Sequence, residues 1–425
     1  MSTPVIQVRI WNTLVGAVAL DPRLGCYAFE YDPAWRRQGI ELAPRMMPTS
    51  SPEQVFVFPA LGESFKRLPG LLADALPDDF GNALIDAWMA TKGVARESIT
   101  SLDRLAYMGK RGLGALEFRP AKGAGRQSAQ PLEMKSLVEA ARRVLHGNFA
   151  GDLPAQAALA NMIRVGTSAG GARAKAVIAW HPVTNEIRSG QFDTDDGFEH
   201  WLLKFDGVGR DWELGTTADY GRIEYAYYLM ATRHAGIAMA PSRLLSENGR
   251  AHFMTKRFDR EGNIKHHLQS LCALSHLDYK QRATHAYEQY LIAIKDLGLG
   301  DQALDQGFRR MAFNVMARNC DDHTKNFGFR LKQGGRWELA PAYDVTHAHN
   351  PQGEWTSQHL LSVNGKFEAI ARDDLLVVAD RFGVPRAGAV LDQVKAAVGT
   401  WPDLAREAGV PEAKARQVAQ DFRLV

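Results

Sequence analysis

The sequence is poor in cysteine and has no large excess of either charge. Its 425 residues include only Cys26, Cys272 and Cys320, which stand far apart with none of the spacings of a metal site. A sparse, odd set of cysteines excludes a disulfide scaffold and fits a reducing compartment. The 51 basic and 48 acidic residues leave a net charge of +3, which argues against a polybasic nucleic-acid binder.

Long apolar runs are also lacking. No stretch approaches the roughly 18 apolar residues that a membrane helix needs, and residues 1–11 do not have the basic-then-apolar order of a signal peptide. We therefore expect a soluble, cytoplasmic protein. With 45% hydrophobic and 23% charged residues, the composition is that of a globular protein and excludes general disorder.

The pattern of hydrophobic residues predicts an α+β protein with a subdomain and two lobes. Residues 1–60 alternate apolar and polar side chains as strands do, whereas residues 70–90 change to helical spacing, interrupted by Pro77 and Gly81. The Gly- and Gln-containing stretch 121–131 is typical of a linker. The predicted parts are an N-terminal β-rich subdomain with closing helices at 1–120, a nucleotide-binding lobe at 132–260 and an α-helical catalytic lobe at 261–425.

Local signals place further elements in the two lobes. Thr216 and Asp219 have the spacing of a capping box at the start of a helix, and Gly236 stands beyond its end. Asn248-Gly249, flanked by apolar runs, predicts a β-hairpin. A second hairpin is predicted around Gly334 and the glycine that follows it.

The densest polar cluster, 321–326, lies between an apolar helix and a strand. Asp321 and Asn326 have the spacing of a kinase catalytic loop, in which the aspartate accepts the proton of the substrate hydroxyl and the asparagine holds Mg²⁺. Asp344 follows 18 residues after Asn326, where it could hold a second face of the metal. The alternative is a solvated turn with charge pairs.

Lys204 is the only Lys, Arg, Asp or Glu in the apolar run HWLLKF (200–205), a predicted strand, and it is a candidate ligand for a phosphate group. Glu224, on the helix that follows, could orient it as an ion partner. The alternatives are a lysine whose ammonium extends from an edge strand into water and a solvent-exposed glutamate on the helix.

The glycine-rich turn 166–171 supplies backbone N–H groups that could approach phosphate oxygens, and Lys175 could add charge. The turn also matches G-x-S-x-G, the nucleophile elbow of serine hydrolases. That motif requires a helix after the serine, whereas residues 175–180 are typical of a strand. A plain glycine hairpin is the third interpretation.

Two close pairs of histidines are candidate metal ligands. They are His266 with His267 and His347 with His349, and neither pair has an H-E-x-x-H pattern or a cysteine partner. We expect surface-loop histidines rather than metal ligands.

Taken together, these motifs resemble those of the HipA-like serine/threonine kinases, the toxin components of type II toxin–antitoxin modules. The resemblance extends along nearly the whole chain, and the order and spacing of the motifs make it specific. The segments that carry it are IWNTLVGAVAL (10–20), FEYDPAW (29–35), GLLADALPDDFGNALI (70–85), SAGGARAK (168–175), LLKF (202–205), KRFDR (256–260), DDHTKNFGF (321–329) and APAYDV (340–345).

The resemblance implies a two-lobed protein-kinase-like fold with an additional N-terminal β-rich subdomain, and ATP and Mg²⁺ as cofactors. It makes Asp321 the catalytic base, Asn326 and Asp344 the Mg²⁺ ligands, and Lys204 a ligand of the nucleotide phosphates. The other implied nucleotide contacts are Gly170, Gly171, Ala172, Arg173, Ala174, Lys175, Lys256, Arg257, Phe258, His323, Thr324, Lys325, Tyr343 and Asp344.

Regulation and partners also follow from the resemblance. It implies autophosphorylation at Ser168, a small helix-turn-helix antitoxin (HipB-like) as partner, contact with DNA only through that antitoxin, and a protein substrate such as an aminoacyl-tRNA synthetase or another translation factor. Two positions depart from the family pattern. Lys256 stands where some members have an acidic residue, and Asp322 stands where a small residue is common, so that it could couple electrostatically to Asp321.

Three other functions compete with a growth-inhibiting protein kinase. The first is a catalytically weak, nucleotide-binding co-repressor that works with a DNA-binding antitoxin. The second is a small-molecule kinase, which has no need of the N-terminal 120 residues. The third is a serine hydrolase, which predicts labelling of Ser168 by a fluorophosphonate.

Overall fold

The computed structural model describes residues 4–77, 79–122, 131–145, 162–163, 174–208, 210–211, 215–216 and 218–425. The chain forms two compact units. The first unit comprises residues 1–209, 256–278 and 330–336, and the second unit comprises 210–255, 279–329 and 337–425. Among the described residues, no helix is long and apolar enough to cross a bilayer. All three cysteines are buried, and none of them forms a disulfide.

The strands and helices have the following bounds. The strands are β1 (Val5–Ile10), β2 (Thr13–Asp21), β3 (Cys26–Tyr31), β4 (Val55–Phe56), β5 (Glu117–Arg119), β6 (Lys175–Trp180), β7 (Ile187–Ser189), β8 (Glu199–Lys204), β9 (Arg210–Asp211), β10 (Gly215–Thr216), β11 (Ser242–Glu247), β12 (Arg250–Lys256), β13 (Arg260–Glu261), β14 (Ile264–Lys265), β15 (His267–Ser270), β16 (His285–Ala286), β17 (Gly328–Leu331), β18 (Trp337–Leu339) and β19 (Leu361–Ser362). The α-helices are α1 (Pro33–Arg36), α2 (Gly70–Ala73), α3 (Asp79–Ala90), α4 (Ser101–Met108), α5 (Met134–Leu145), α6 (Tyr220–Arg233), α7 (Leu271–Ser275), α8 (Tyr287–Asp296), α9 (Gly300–Met316), α10 (Arg372–Phe382), α11 (Ala387–Gly399), α12 (Trp401–Glu407) and α13 (Glu412–Asp421).

The N-terminal part of the first unit is built on a five-stranded sheet in the order β4-β3-β2-β1-β5. The alternation predicted for β1 is confirmed, because Ile6, Val8 and Ile10 are fully buried while the residues between them are exposed or partly exposed. The predicted helical stretch 70–90 is also confirmed, and it is divided into α2 and α3 with Pro77 between them.

A second group of antiparallel strands in the first unit has β6 between β8 and β7. Every residue of β6 is buried. Trp201, Leu203 and Phe205 are buried, as the alternation of the sequence predicts. Lys175 of β6 stands directly opposite Lys204 of β8 in the register, so both lysine side chains project from the same face.

A buried ion network in the first unit ties the segment 256–278 to the N-terminal part. Asp259 accepts hydrogen bonds from Arg257 Nε (2.9 Å) and Nη2 (2.6 Å) and from the backbone N–H of Gly114 (2.8 Å). Burial alone would raise the pKa of the Asp259 carboxyl, but Arg257 and Arg260 outweigh this effect and hold the pKa below its usual range.

We expect Asp259→Asn to lower the free energy of unfolding by about 3–5 kcal/mol, because it leaves buried guanidinium groups without their counter-charge. Urea unfolding of the whole chain measures this loss. The matched control is Asp195→Asn, which removes the exposed partner of Arg188 and should cost less than about 1 kcal/mol. Equal small losses in both variants would contradict the prediction.

The second unit begins with short strands and α6. The predicted capping box was wrong: α6 starts at Tyr220, and Asp219 lies before it in a left-handed conformation (φ 67°) without capping the helix through its side chain. The Asn248-Gly249 hairpin is confirmed, since β11 pairs with β12 and both turn residues have positive φ, as a type I′ turn requires.

The rest of the second unit is mainly helical. α9 packs against α8 and α11, and the short strands β16 and β19 pair in parallel. The predicted buried face of α9 is confirmed, because Phe308, Met311 and Val315 are at most 2% exposed. The polar loop that contains Asp321 follows directly after this helix.

Candidate active site

The polar loop is anchored where it leaves α9. Arg318 has a positive φ of 55°, which turns the chain away from the helix axis. The backbone N–H of Cys320 then donates a hydrogen bond to the carbonyl of Ala348 (2.9 Å), and the N–H of Ala348 donates to the carbonyl of Arg318 (3.1 Å). The start of the loop is therefore held against the segment that follows Asp344.

Asp321 and Asn326 are brought together by a single turn. The backbone N–H of Asn326 donates to the His323 carbonyl (2.9 Å), and its side-chain Nδ2 donates to the Asp321 carbonyl (2.7 Å). The Asp321 side chain is 50% exposed, and one of its oxygens lies 3.8 Å from His323 Nε2. The loop thus presents the carboxylate to solvent, where it can accept a proton from a hydroxyl group.

The segment that contains Asp344 contacts the same loop through Tyr343, the residue before it. Tyr343 Oη donates to the Lys325 carbonyl (2.7 Å), and a Cβ placed on Gly328 would lie 3.0 Å from the Tyr343 ring. Asp344 has a left-handed backbone (φ 53°), which is uncommon outside glycine and is concentrated at functional sites. The two segments predicted to hold Mg²⁺ therefore meet in one unit.

Aromatic and basic side chains border the loop. The ring of Tyr279 lies 5.4 Å from the ring of His323, and Lys325 Nζ lies 4.8 Å from the Tyr279 ring centroid. Thr324 is buried, whereas His323 and Lys325 are partly exposed. Thr324 therefore anchors the turn, and its two neighbours are available to a ligand.

Asp322 has a different environment from Asp321. Its side chain is fully buried, and His359 Nδ1 lies 2.8 Å from it. Burial lowers the pKa of His359, but the negative charge of Asp322 outweighs this effect and raises the pKa to about 10. Sequence reasoning did not find His359, because no motif spacing connects it with a loop 37 residues earlier.

The lysines predicted to bind phosphate lie in the first unit. Lys175 is 2% exposed and Lys204 is partly exposed, and they stand opposite each other on one sheet face. The adjacent Ala174 is buried, and its carbonyl accepts from the N–H of Phe205 (3.0 Å). The predicted contacts at Gly170, Gly171, Ala172 and Arg173, and the predicted autophosphorylation site Ser168, lie outside the described residues.

The implied nucleotide contacts at 256–258, in the first unit, have separate partners. Lys256 Nζ forms an ion pair with Glu199 Oε1 (2.6 Å), which accounts for a basic residue at this position. Arg257 is buried against Asp259. Phe258 offers its backbone carbonyl, which accepts from Arg330 Nη1 (2.6 Å).

The alternative interpretation of Glu224 and the prediction for the histidine pairs were both wrong. Glu224 is 3% exposed, so it is not a solvent-exposed helix carboxylate. The histidine pairs are not surface-loop histidines either, because their side chains are all nearly buried. His347 Nε2 and His349 Nδ1 lie 2.8 and 3.0 Å from the carboxylate of Asp421, and His266 and His267 are 3% and 1% exposed.

The loop and the segment around Asp344 carry oxygen donors of the kind that Mg²⁺ prefers. In the described parts of the chain, no group of three or more His, Cys, Asp or Glu residues could hold a metal ion. Asn326 uses its amide nitrogen within the loop, which leaves its side-chain oxygen for a ligand. An amide oxygen and a carboxylate, completed by phosphate and water oxygens, are a typical Mg²⁺ set.

The sequence matches two family models, the HipA N-terminal domain over residues 6–119 and the HipA-like C-terminal domain over residues 167–423. The chain belongs to the HipA family. The resemblance drawn from the motifs is thereby confirmed. No curated protein matches the chain.

A solved structure supports the same fold. HipA of Shewanella oneidensis MR-1, in a complex with HipB and its operator DNA, is similar with a TM-score of 0.66 and 16% identity, over 98% of this chain and 96% of that chain. The Helicobacter pylori proinflammatory kinase CtkA has 13% identity over 60% of this chain and 90% of its own, with a TM-score of 0.38. The predicted fold class, α+β and kinase-like with an N-terminal β-rich subdomain, is confirmed.

Proposed function

We propose that this HipA-family protein is an ATP- and Mg²⁺-dependent protein serine/threonine kinase that acts as a growth-inhibiting toxin. The observation that carries the proposal is the loop in which Asn326 binds the backbone of Asp321 while the Asp321 carboxylate faces solvent. Tyr343, next to Asp344, bonds to the same loop. A kinase needs this combination of a base and two oxygen ligands.

Each residue has a distinct role in the proposed reaction. Asp321 accepts the proton of the attacking serine or threonine hydroxyl. Asn326 and Asp344 hold Mg²⁺, which when bound neutralises charge on the phosphate oxygens. His323, Lys325 and Tyr343 border the nucleotide.

Lys175 and Lys204 supply the positive charge that the phosphates need. The two lysines stand opposite each other on one sheet face, where a phosphate group could contact both. We assign both lysines to the nucleotide phosphates, together with Gly170 to Ala174. Lys256 to Phe258 are assigned to the adenine, which the backbone groups of this segment could contact.

We expect Lys204→Met to weaken ATP binding by at least about tenfold, because one charge-assisted contact to phosphate is worth roughly 1.5–3 kcal/mol. Titration of the purified protein with Mg²⁺ and ATP measures the dissociation constant. Lys92→Met is a matched control in the same unit, since Lys92 is an exposed lysine beside Trp88. Equal ATP affinity in both variants would show that Lys204 does not bind the nucleotide.

The proposed partner is a small helix-turn-helix antitoxin. The related Shewanella HipA was solved with HipB and operator DNA. A net charge of +3 is too small for strong DNA binding by this chain itself, so we assign DNA contact to the partner. Phosphorylation of Ser168 would add about two negative charges to the glycine-rich loop and oppose ATP binding there.

The toxin role is tested by controlled expression. We expect growth to stop on expression of the wild type and to continue on expression of Asp321→Asn at the same protein level. Arrest by both would favour a non-catalytic role, such as the co-repressor. Mass spectrometry of phosphopeptides from the arrested cells would identify the substrate, for which a translation factor is our proposal.

A further inference from the structure

The carboxylate next to Asp321 begins a buried chain of hydrogen bonds in the second unit. We propose that Asp322 is a positioning residue, which with His359 and Tyr287 holds the catalytic loop in place and, through two asparagines, links it to Asp344. This inference rests on the proposed kinase function.

Asp322 receives three hydrogen bonds from two separate parts of the unit. Tyr287 Oη donates to Oδ2 (2.7 Å), and His359 Nδ1 lies 2.8 Å from the same oxygen. The backbone N–H of Leu360 donates to Oδ1 (2.7 Å). One side chain thus joins the loop to the start of α8 and to the segment that enters β19.

The chain of bonds continues to the backbone of Asp344. Asn314 Nδ2 donates to Tyr287 Oη (3.0 Å), and Asn319 Nδ2 donates to Asn314 Oδ1 (3.0 Å). Asn319 Nδ2 also lies within hydrogen-bond distance of the Asp344 carbonyl (3.4 Å). The base segment and the metal segment are therefore connected through buried side chains, and not only by the surface contact of Tyr343.

Burial separates the roles of the two aspartates. The Asp322 side chain is 0% exposed, so it cannot meet the hydroxyl of a protein substrate, whereas Asp321 is 50% exposed. A buried carboxylate with a protonated histidine beside it forms a neutral pair whose geometry is narrowly defined. We therefore assign Asp321 as the catalytic carboxylate and Asp322 as the positioning carboxylate.

Positioning predicts a loss of rate rather than of binding. A displacement of about 1 Å at a reacting group can cost about 10²-fold in rate. We expect Asp322→Asn to lower kcat by about 10²-fold and to change the KM for ATP by less than about threefold. Tyr287→Phe removes one of the three bonds and should lower kcat by about tenfold.

The matched control is Asp374→Asn. Asp374 is also a buried carboxylate of the second unit, and it accepts from the Ala371 N–H, Lys366 and Asn364. It has no bond to the loop among these contacts. We expect this variant to lose stability but to keep wild-type kcat at temperatures where it is folded.

Hydrogen exchange gives a readout that does not depend on activity. In Asp322→Asn and Tyr287→Phe, the amides of Asn326 and Leu360 should exchange at least about tenfold faster than in the wild type, whereas Asp374→Asn should leave them unchanged. If Asp322→Asn does not fold, Tyr287→Phe carries the test.

The outcomes separate this inference from the proposed function. A wild type that transfers no phosphate refutes the kinase function, and exchange of the two amides then decides the positioning role. If Asp322→Asn and Tyr287→Phe keep the wild-type kcat while Asp321→Asn loses activity as expected, the positioning role is refuted and the kinase function stands. Amide exchange at Asn326 and Leu360 that is unchanged in Asp322→Asn and Tyr287→Phe would also refute the positioning role.

Discussion

Asp321→Asn is expected to lower the rate of phosphate transfer from ATP by at least about 10²-fold, the lower bound of what a general base contributes. The asparagine amide has nearly the same shape as the carboxylate but does not accept the hydroxyl proton. Because the side chain is 50% exposed, the substitution should change the free energy of unfolding by less than about 0.5 kcal/mol. Initial rates with labelled ATP and thermal unfolding measure the two effects.

Asp403→Asn is the control for this prediction. Asp403 lies on α12 of the same unit, and its side chain is 80% exposed. It should keep full activity. Full activity in Asp321→Asn as well would show that this carboxylate is not the base.

Asp344→Asn is expected to remove the dependence of nucleotide binding on Mg²⁺ and to lower phosphate transfer by at least about 10²-fold, the scale seen when one electrostatic group is removed from a transition state. Asparagine is the suitable substitution, because it tolerates the left-handed backbone that Asp344 adopts at φ 53°. A change in backbone strain therefore does not complicate the result.

Calorimetric titration with ATP, with and without Mg²⁺, tests this prediction. In the wild type, Mg²⁺ should tighten binding, and in Asp344→Asn the two titrations should coincide. Asp380→Asn, on α10 of the same unit, is the control and should behave as the wild type. An undiminished Mg²⁺ effect in Asp344→Asn would place the metal elsewhere.

The sequence predicts those features that depend on local patterns. The apolar spacing on α9 predicted its buried face, and the Asn248-Gly249 pair predicted a hairpin. The spacing of Asp321 and Asn326 assigned both residues to one polar loop, and in the structure one turn brings them together, because only four residues separate them. In each case neighbouring residues decide the structure, so the pattern is visible without the fold.

Features that depend on distant contacts were not predictable in the same way. The role of Asp322 depends on His359, and that of Asp259 depends on the N–H of Gly114, 145 residues earlier. His347 and His349 both lie within 3.0 Å of the carboxylate of Asp421, near the end of the chain. Even the start of α6 was misplaced, because Asp219 and Thr216 form a cap only in a backbone conformation that Asp219 does not adopt.

Transfer of labelled phosphate from ATP to protein tests the kinase function most directly. The purified wild type, Asp321→Asn and Asp403→Asn are each incubated with Mg²⁺ and ATP labelled at the γ-phosphate, alone and with a cell extract. We predict label on serine or threonine of a protein with the wild type and Asp403→Asn, and its loss with Asp321→Asn. No label with the wild type, or equal label with all three, would contradict the kinase function.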